Sequence, residues 1–122
     1  MSKILLIDDD ADFRLIFERK FTDLGHEVTT AADGVRGLQV VMETSVDLIL
    51  LDLNMPHRGG VETLRFIRSV NPNVPVIILT GLMDEAAQAQ IKDWSVKNVL
   101  FKPVRIKELV ATVDKALGIA HA

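Results

Sequence analysis

The chain alternates between short apolar runs and segments with helical spacing, and this alternation restricts its fold more than any other feature. Four apolar runs occupy positions 4–7, 48–51, 74–79 and 99–101, and a weaker run rich in β-branched residues occupies 27–30. Runs this short that are apolar throughout predict strands covered on both faces. Between them, apolar residues recur every three or four positions, as on one face of a helix. The first such stripe comprises Phe13, Ile16, Phe17, Phe21 and Leu24.

Glycine and proline mark the ends of the predicted elements. Gly25 and Gly118 follow the first and last predicted helices, and Pro72 precedes the fourth strand. Strand and helix alternate five times, which predicts an α/β fold with one doubly wound, five-stranded parallel sheet, a (βα)5 arrangement of the flavodoxin-like type. We expect this single domain to span residues 1–122. The fourth helix, within 84–94, has alanines but few large apolar side chains, so we expect it to be the least firmly packed.

Composition excludes several classes of function. The chain has no cysteine, so disulfides, thiol catalysis and cysteine-ligated zinc are excluded. The formal net charge of −3 argues against electrostatic binding to nucleic acid or to anionic membranes. The apolar runs are also far shorter than the roughly 20 residues that a membrane-spanning helix requires. We therefore expect a cytoplasmic protein that binds neither nucleic acid nor membrane directly.

Polar side chains follow four of the five predicted strands. Asp8 and Asp9 follow the first strand and Asp52 the third, while Thr80 ends the fourth and Lys102 follows the fifth. Because the carboxyl ends of parallel strands meet at one edge of a sheet, we expect these side chains to share a site. Three carboxylates and one ammonium group leave two negative charges, which a divalent cation would neutralise. Oxygen ligands favour Mg²⁺, with Mn²⁺ possible, over zinc. A carboxylate beside such an ion can attack phosphorus, so the predicted chemistry is phosphoryl transfer to an aspartate.

These residues also resemble the motifs of a known family, the receiver domains of two-component response regulators. The matching motifs are the Asp8-Asp9 pair, Asp52, Leu53-Asn54-Met55-Pro56 with Gly60, Thr80 and Lys102-Pro103. The resemblance covers the full chain. It implies a phosphoacceptor rather than an enzyme, which at most catalyses its own phosphorylation and dephosphorylation.

The resemblance also assigns the phosphoacceptor and the metal ligands. It implies that Asp52 accepts a phosphoryl group from a histidine kinase or a histidine phosphotransfer protein, and that an unidentified downstream protein or output domain responds. Asp8, Asp9 and Asp52 would hold the magnesium ion, and Asn54 would add its backbone carbonyl.

The same resemblance places the conformational switch at the ends of the last two strands. Thr80 and Lys102 would bind the phosphoryl oxygens, and Pro103 would set the turn through a cis Lys102–Pro103 bond. The family usually has tyrosine or phenylalanine three residues before the lysine, but Val99 stands here and cannot make the rotation of that ring. Kinases of this family dock beside the first helix, so we expect Leu15, which lies off its apolar stripe, to contact the kinase.

Two alternatives remain open. The opening Asp8-Asp9-Asp10 also resembles that of small haloacid dehalogenase-like phosphatases, in which Asp8 would be the nucleophile and Asp10 the acid/base. Against this, Ala11 stands where that family prefers threonine or valine, and 122 residues leave no room for a cap domain. The second alternative is a receiver-like interaction module that does not accept phosphate, for which Val99 is the only support.

Overall fold

Five parallel strands form the centre of the molecule. The computed structural model describes residues 2–55, 59–81, 85–92 and 95–119. The strands are β1 (Lys3–Ile7), β2 (Glu27–Ala31), β3 (Leu48–Asp52), β4 (Val76–Thr80) and β5 (Asn98–Phe101). The helices are α1 (Ala11–Asp23), α2 (Gly34–Glu43), α3 (Gly60–Val70), α4 (Glu85–Lys92) and α5 (Ile106–Leu117). The sheet order is β2-β1-β3-β4-β5, and every described pairing is parallel. The predicted flavodoxin-like architecture is therefore confirmed.

The strand register brings the strand ends to one edge of the sheet. Ile7 pairs with Leu51 between β1 and β3, and Asp52 pairs with Leu79 between β3 and β4. Asp8, which follows Ile7, is therefore level with Asp52, and Thr80, which follows Leu79, lies one residue beyond that level. This register is what converts the sequence motifs into one site.

The sheet is buried on both faces, as its apolar strands predict. One side packs against α2, α3 and α4, and its buried residues include Leu5, Ile7, Ile49, Leu51, Leu64, Ile67 and Ile91. The other side packs against α1 and α5, and its buried residues include Ile4, Leu6, Leu48, Leu50, Phe17, Phe21, Leu109 and Val113. Side chains alternate across a strand, so β3 and β4, which are covered on both faces, are apolar at every position but the last.

Helix α1 is capped by an aspartate at its N-terminus, and it buries fewer of its apolar side chains than the sequence predicts. The Asp10 carboxylate caps it by accepting hydrogen bonds from the backbone N–H groups of the first turn. Phe17 and Phe21 are buried, but Ile16 is 52% exposed and Leu24 is 46% exposed. Their assignment to the core stripe is wrong. At about 100° per residue Ile16 projects well away from the two phenylalanines, and Leu24 lies beyond the last helical residue.

Helix α4 is the shortest helix among the described residues, and its side chains are mostly polar or small. Among the described side chains of this helix, Ile91 is buried, whereas Gln88, Ala89 and Lys92 are exposed. Its weak packing stays a prediction. Pro56 of the predicted turn and residues 84, 93 and 94 of the predicted fourth helix lie outside the described residues. In the described part of the chain, no helix combines the length and the apolar character needed to cross a membrane.

Candidate functional site

The end of β1 holds Asp8 in a fixed position. Asp8 is fully buried, and its backbone N–H donates to the carbonyl of Ala31 on β2 at 3.0 Å. The guanidinium of Arg14 donates to the Asp8 carbonyl oxygen at 2.8 Å. The carboxylate itself accepts the backbone N–H of Asp10 on Oδ1 at 2.9 Å. These contacts orient the carboxylate toward the end of the neighbouring strand β3.

Asp52 ends β3 and is only 3% exposed. Its Oδ1 accepts the backbone N–H of Asn54 at 2.9 Å. Behind it, the first residue of α3 is Gly60, whose N–H donates to the Leu53 carbonyl at 3.3 Å. A Cβ atom at Gly60 would contact the Leu53 Cα and lie 2.7 Å from the Asp52 carbonyl oxygen. Glycine is therefore required for the close approach of α3 to this aspartate.

Three carboxylates converge at this edge of the sheet. Asp8, Asp9 and Asp52 each offer a ligand oxygen, and these oxygens lie within 4.8 Å of one another. Asp9 is exposed, whereas Asp8 and Asp52 are buried, so the cluster opens to solvent on the side of Asp9. Carboxylate oxygens at this spacing are the donors that a hard divalent cation takes. The donor set therefore fits a divalent metal ion.

Lys102 supplies a positive charge to the buried acids. Its Nζ lies 2.8 Å from Asp8 Oδ2 and 3.3 Å from Asp52 Oδ2. The ammonium also lies 5.3 Å from the centre of the Phe13 ring, within the range of a cation–π contact. Burial by itself disfavours the charged ammonium, but the hydrogen bonds and charges of Asp8 and Asp52 outweigh it, so the pKa of Lys102 is raised. The peptide bond from Lys102 to Pro103 is cis.

The end of β4 is linked to β3 through Asn54. Thr80 is fully buried, and its hydroxyl donates to Oδ1 of the Asn54 side chain. The backbone N–H of Gly81 donates to the same oxygen at 2.9 Å. The sequence motifs single out Asn54 only for its backbone carbonyl, so they miss this side-chain role. No local pattern marks it, because the partners are far apart in the chain and only the β3–β4 pairing brings them together.

The structure thus brings together six of the residues singled out from the sequence, namely Asp8, Asp9, Asp52, Asn54, Thr80 and Lys102. Two others lie outside this group. Val99 is partly buried against the core layer that holds α4, and Leu15 is 50% exposed on α1. Phe101, two residues after Val99 on β5, is 58% exposed. Phe13 belongs to the site through its contact with Lys102, although its sequence pattern predicts only a core residue.

The model of the response regulator receiver domain matches residues 4–114. The chain belongs to this family. The two-component receiver interpretation of the sequence is confirmed, and the family assignment decides against the haloacid dehalogenase-like alternative. Members of this family are phosphoacceptors rather than enzymes in the usual sense.

Relatives of this receiver domain include both short and long proteins. The probable chemotaxis protein CheY of Rhizobium etli is 33% identical over 120 residues, covering 95% of this chain and 92% of that protein. The transcriptional regulatory protein ZraR of Escherichia coli is 32% identical over 119 residues, which are 98% of this chain but 27% of ZraR. The receiver domain thus spans about a quarter of the length of ZraR.

A solved structure shares both the fold and part of the sequence. The response regulator TrrA of Thermotoga maritima, in complex with Mg²⁺ and BeF, is 27% identical with a TM-score of 0.83. The match covers 96% of this chain and 100% of the TrrA chain. The same backbone arrangement thus occurs in a protein crystallised with magnesium.

Proposed function

We propose that this receiver domain, one unit over residues 1–122, accepts a phosphoryl group on Asp52 and changes conformation in response. The donor would be the phosphohistidine of a histidine kinase or of a phosphotransfer protein. The observation that carries this proposal is the placement of the Asp52 carboxylate between two further carboxylates and an ammonium group at one sheet edge. Clustered carboxylates repel one another and so oppose folding, whereas phosphoryl transfer uses them to hold a metal ion beside the acceptor.

In the transfer step, a carboxylate oxygen of Asp52 attacks phosphorus. The P–O bond forms as the P–N bond to the donor imidazole breaks, and the imidazole, protonated on its other ring nitrogen, leaves as a neutral ring with the bonding electron pair. In dephosphorylation, a separate reaction, water attacks phosphorus, the P–O bond to Asp52 breaks, and the carboxylate is restored as inorganic phosphate leaves with the protons of the water. The domain would in this way catalyse its own phosphorylation and dephosphorylation.

Asp8, Asp9 and Asp52, together with the Asn54 backbone carbonyl, would hold Mg²⁺, with Mn²⁺ as a possible substitute. When bound, the ion would neutralise the charge of the carboxylates and of the phosphoryl oxygens. The carboxylate spacing supports this ligand set, and the magnesium complex of TrrA supports the choice of metal. Asp8 is held by its own hydrogen bonds before any ion arrives, so its carboxylate is already oriented for metal binding.

Lys102 and Thr80 would bind the phosphoryl oxygens. Phosphorylation replaces the single charge of Asp52 with roughly two negative charges and adds acceptor oxygens. Lys102 already donates to Asp52, and Thr80 ends the strand that leads toward α4. Movement of Thr80 toward the phosphoryl group would pull on the chain before α4, the helix that the sequence predicts to be the least firmly packed.

We further propose a cytoplasmic location, a kinase contact at the exposed Leu15 on α1, and an unidentified downstream protein or output domain as the target of the signal. No direct contact with nucleic acid or membrane is proposed for this domain. The net charge of −3 supports this part of the proposal.

Intact-mass measurement after incubation with acetyl phosphate and MgCl₂ tests the phosphoacceptor. The wild type should gain the mass of one phosphoryl group, and Asp52→Asn should gain none. Glu18→Gln, which removes an exposed acid on α1, is the matched control and should be modified like the wild type. A wild type without an adduct would favour the interaction module that does not accept phosphate. An adduct that survives Asp52→Asn would show that another residue is the acceptor.

A further inference from the structure

Two hydrogen-bond donors at the end of β4 are already engaged by one side chain. The Thr80 hydroxyl and the Gly81 backbone N–H both donate to Oδ1 of Asn54. The backbone N–H of Asn54 donates in turn to Asp52 Oδ1 at 2.9 Å. Asn54 therefore connects the two strand ends, with its main chain on Asp52 and its side chain on β4.

Lys102 differs from these two donors. Its ammonium donates to the carboxylates of Asp8 and Asp52 themselves, so it needs only to follow a group added to Asp52. The hydroxyl of Thr80 and the N–H of Gly81 each carry a single proton to donate. Neither can form a full hydrogen bond to Asn54 and to a phosphoryl oxygen at the same time. The amide oxygen of Asn54 and a phosphoryl group on Asp52 thus compete for the same donors.

We propose that the Asn54 side chain is an internal competitor for the donors of Thr80 and Gly81, and that its displacement controls how readily the domain takes up a phosphoryl group. This inference rests on the proposed function of Asp52. Asn54 is exposed, so water can solvate its amide after displacement, whereas the buried Thr80 hydroxyl needs a partner within the protein. The competition therefore opposes phosphoryl binding without preventing it.

Beryllofluoride, a mimic of the phosphoryl group, provides the direct test. Asn54→Ala removes the competing oxygen and leaves the backbone carbonyl in place. Titration calorimetry at MgCl₂ concentrations that saturate each protein should give beryllofluoride binding about three- to tenfold tighter in Asn54→Ala than in the wild type. Asn73→Ala, the same change at an exposed position between α3 and β4, should match the wild type. Equal or weaker binding by Asn54→Ala would overturn the proposal.

A double-mutant cycle shows whether Asn54 acts through β4. In the Thr80→Val background one of the two donors is gone, so Asn54→Ala should increase the affinity by a smaller factor than it does in the wild type. A gain of the same size in both backgrounds would overturn the proposed route. Exchange of the Gly81 amide hydrogen without ligand gives a second measurement, and it should be faster in Asn54→Ala than in the wild type. Unchanged exchange would also overturn the proposal.

These outcomes separate the competitor role from the proposed function. If the wild type binds beryllofluoride and Asn54→Ala binds it no better, the competitor role fails and the function of Asp52 stands. If the wild type binds no beryllofluoride in the presence of Mg²⁺, both are overturned.

Discussion

The carboxylate of Asp9 should oppose folding when no divalent ion is present. Its ligand oxygen lies within 4.8 Å of those of Asp8 and Asp52. Within the described residues, neither a hydrogen bond nor a salt bridge offsets this repulsion at the Asp9 side chain, because Lys102 pairs with the other two acids. Asp9→Asn keeps the size of the side chain and removes its charge. The variant should therefore be more stable than the wild type.

The separation of the oxygens sets the expected size of this effect. At 4.8 Å, the upper bound on these separations, two unit charges in a water-like medium repel by about 1 kcal/mol. Asp9 faces two acids, and the ammonium of Lys102 offsets the charge of one of them. The water-like value applies because Asp9 is exposed. Ordinary buffers screen the repulsion only in part, since the Debye length of about 10 Å exceeds the separation. We expect Asp9→Asn to raise the free energy of unfolding by about 1 kcal/mol at low salt.

Urea denaturation followed by circular dichroism, with EDTA and again with saturating MgCl₂, measures this difference. In MgCl₂ the gain should shrink or reverse, because an ion bound by Asp9 stabilises the wild type more than the variant. Glu18→Gln loses the same charge from an exposed position on α1 and should change the free energy by less than about 0.5 kcal/mol. An Asp9→Asn variant no more stable than the wild type in EDTA would refute the repulsion argument.

Three further predictions follow from the site and its surroundings. Lys102→Met removes an ammonium whose pKa is higher in the folded state than in the unfolded state. The ammonium therefore contributes its full stabilisation below the ordinary lysine pKa of about 10.4, and it loses that contribution as the pH rises through the pKa of the folded state. In urea titrations the advantage of the wild type should therefore disappear at alkaline pH, and an advantage independent of pH would contradict this. The methyl group of Gly60→Ala would meet the Asp52 carbonyl, so this variant should have a free energy of unfolding lower by about 1 to 3 kcal/mol. Gly59→Ala is the control: it has open space around its Cβ and should change the free energy by less than about 1 kcal/mol. Equal stabilities of the two variants would count against the close approach. Leu15→Ala should slow transfer from the cognate histidine kinase by about five- to tenfold and leave acetyl phosphate modification unchanged; an unaltered kinase rate would exclude Leu15 as a contact.

The sequence is sufficient to predict the fold and the membership of the acidic cluster. The apolar strands fix the layer sandwich, because strands without polar positions must be covered on both faces. Once the strands are parallel, the rule for strand ends places Asp8, Asp52, Thr80 and Lys102 at one edge. Both inferences depend on periodicity and on topology, and neither needs the conformation of any side chain.

The contacts made by individual side chains could not be predicted in the same way. Ile16 continues the spacing of the α1 stripe, yet it projects away from the buried Phe17 and Phe21 and is exposed, because the width of a buried stripe depends on how the helix packs on the sheet. The Asn54 amide meets Thr80 because β3 and β4 pair and end at the same edge of the sheet. Arg68, buried at the end of α3, donates to the carbonyls of Val74 and Ser95. These partners are set by packing between segments, and no local pattern encodes them.

Because position 99 is a valine and not an aromatic residue, the proposed switch depends more strongly on the contact between Asn54 and the end of β4. Val99 is packed against the core layer that holds α4, and a β-branched side chain has restricted rotation about its first bond. No ring at position 99 can therefore rotate to carry a change from Asp52 to the surface of this domain. Under the proposed function, the change would begin at the Thr80 hydroxyl and the Gly81 N–H, which both donate to Asn54. In this domain, the free energy of breaking that contact would then set the balance between the two conformations.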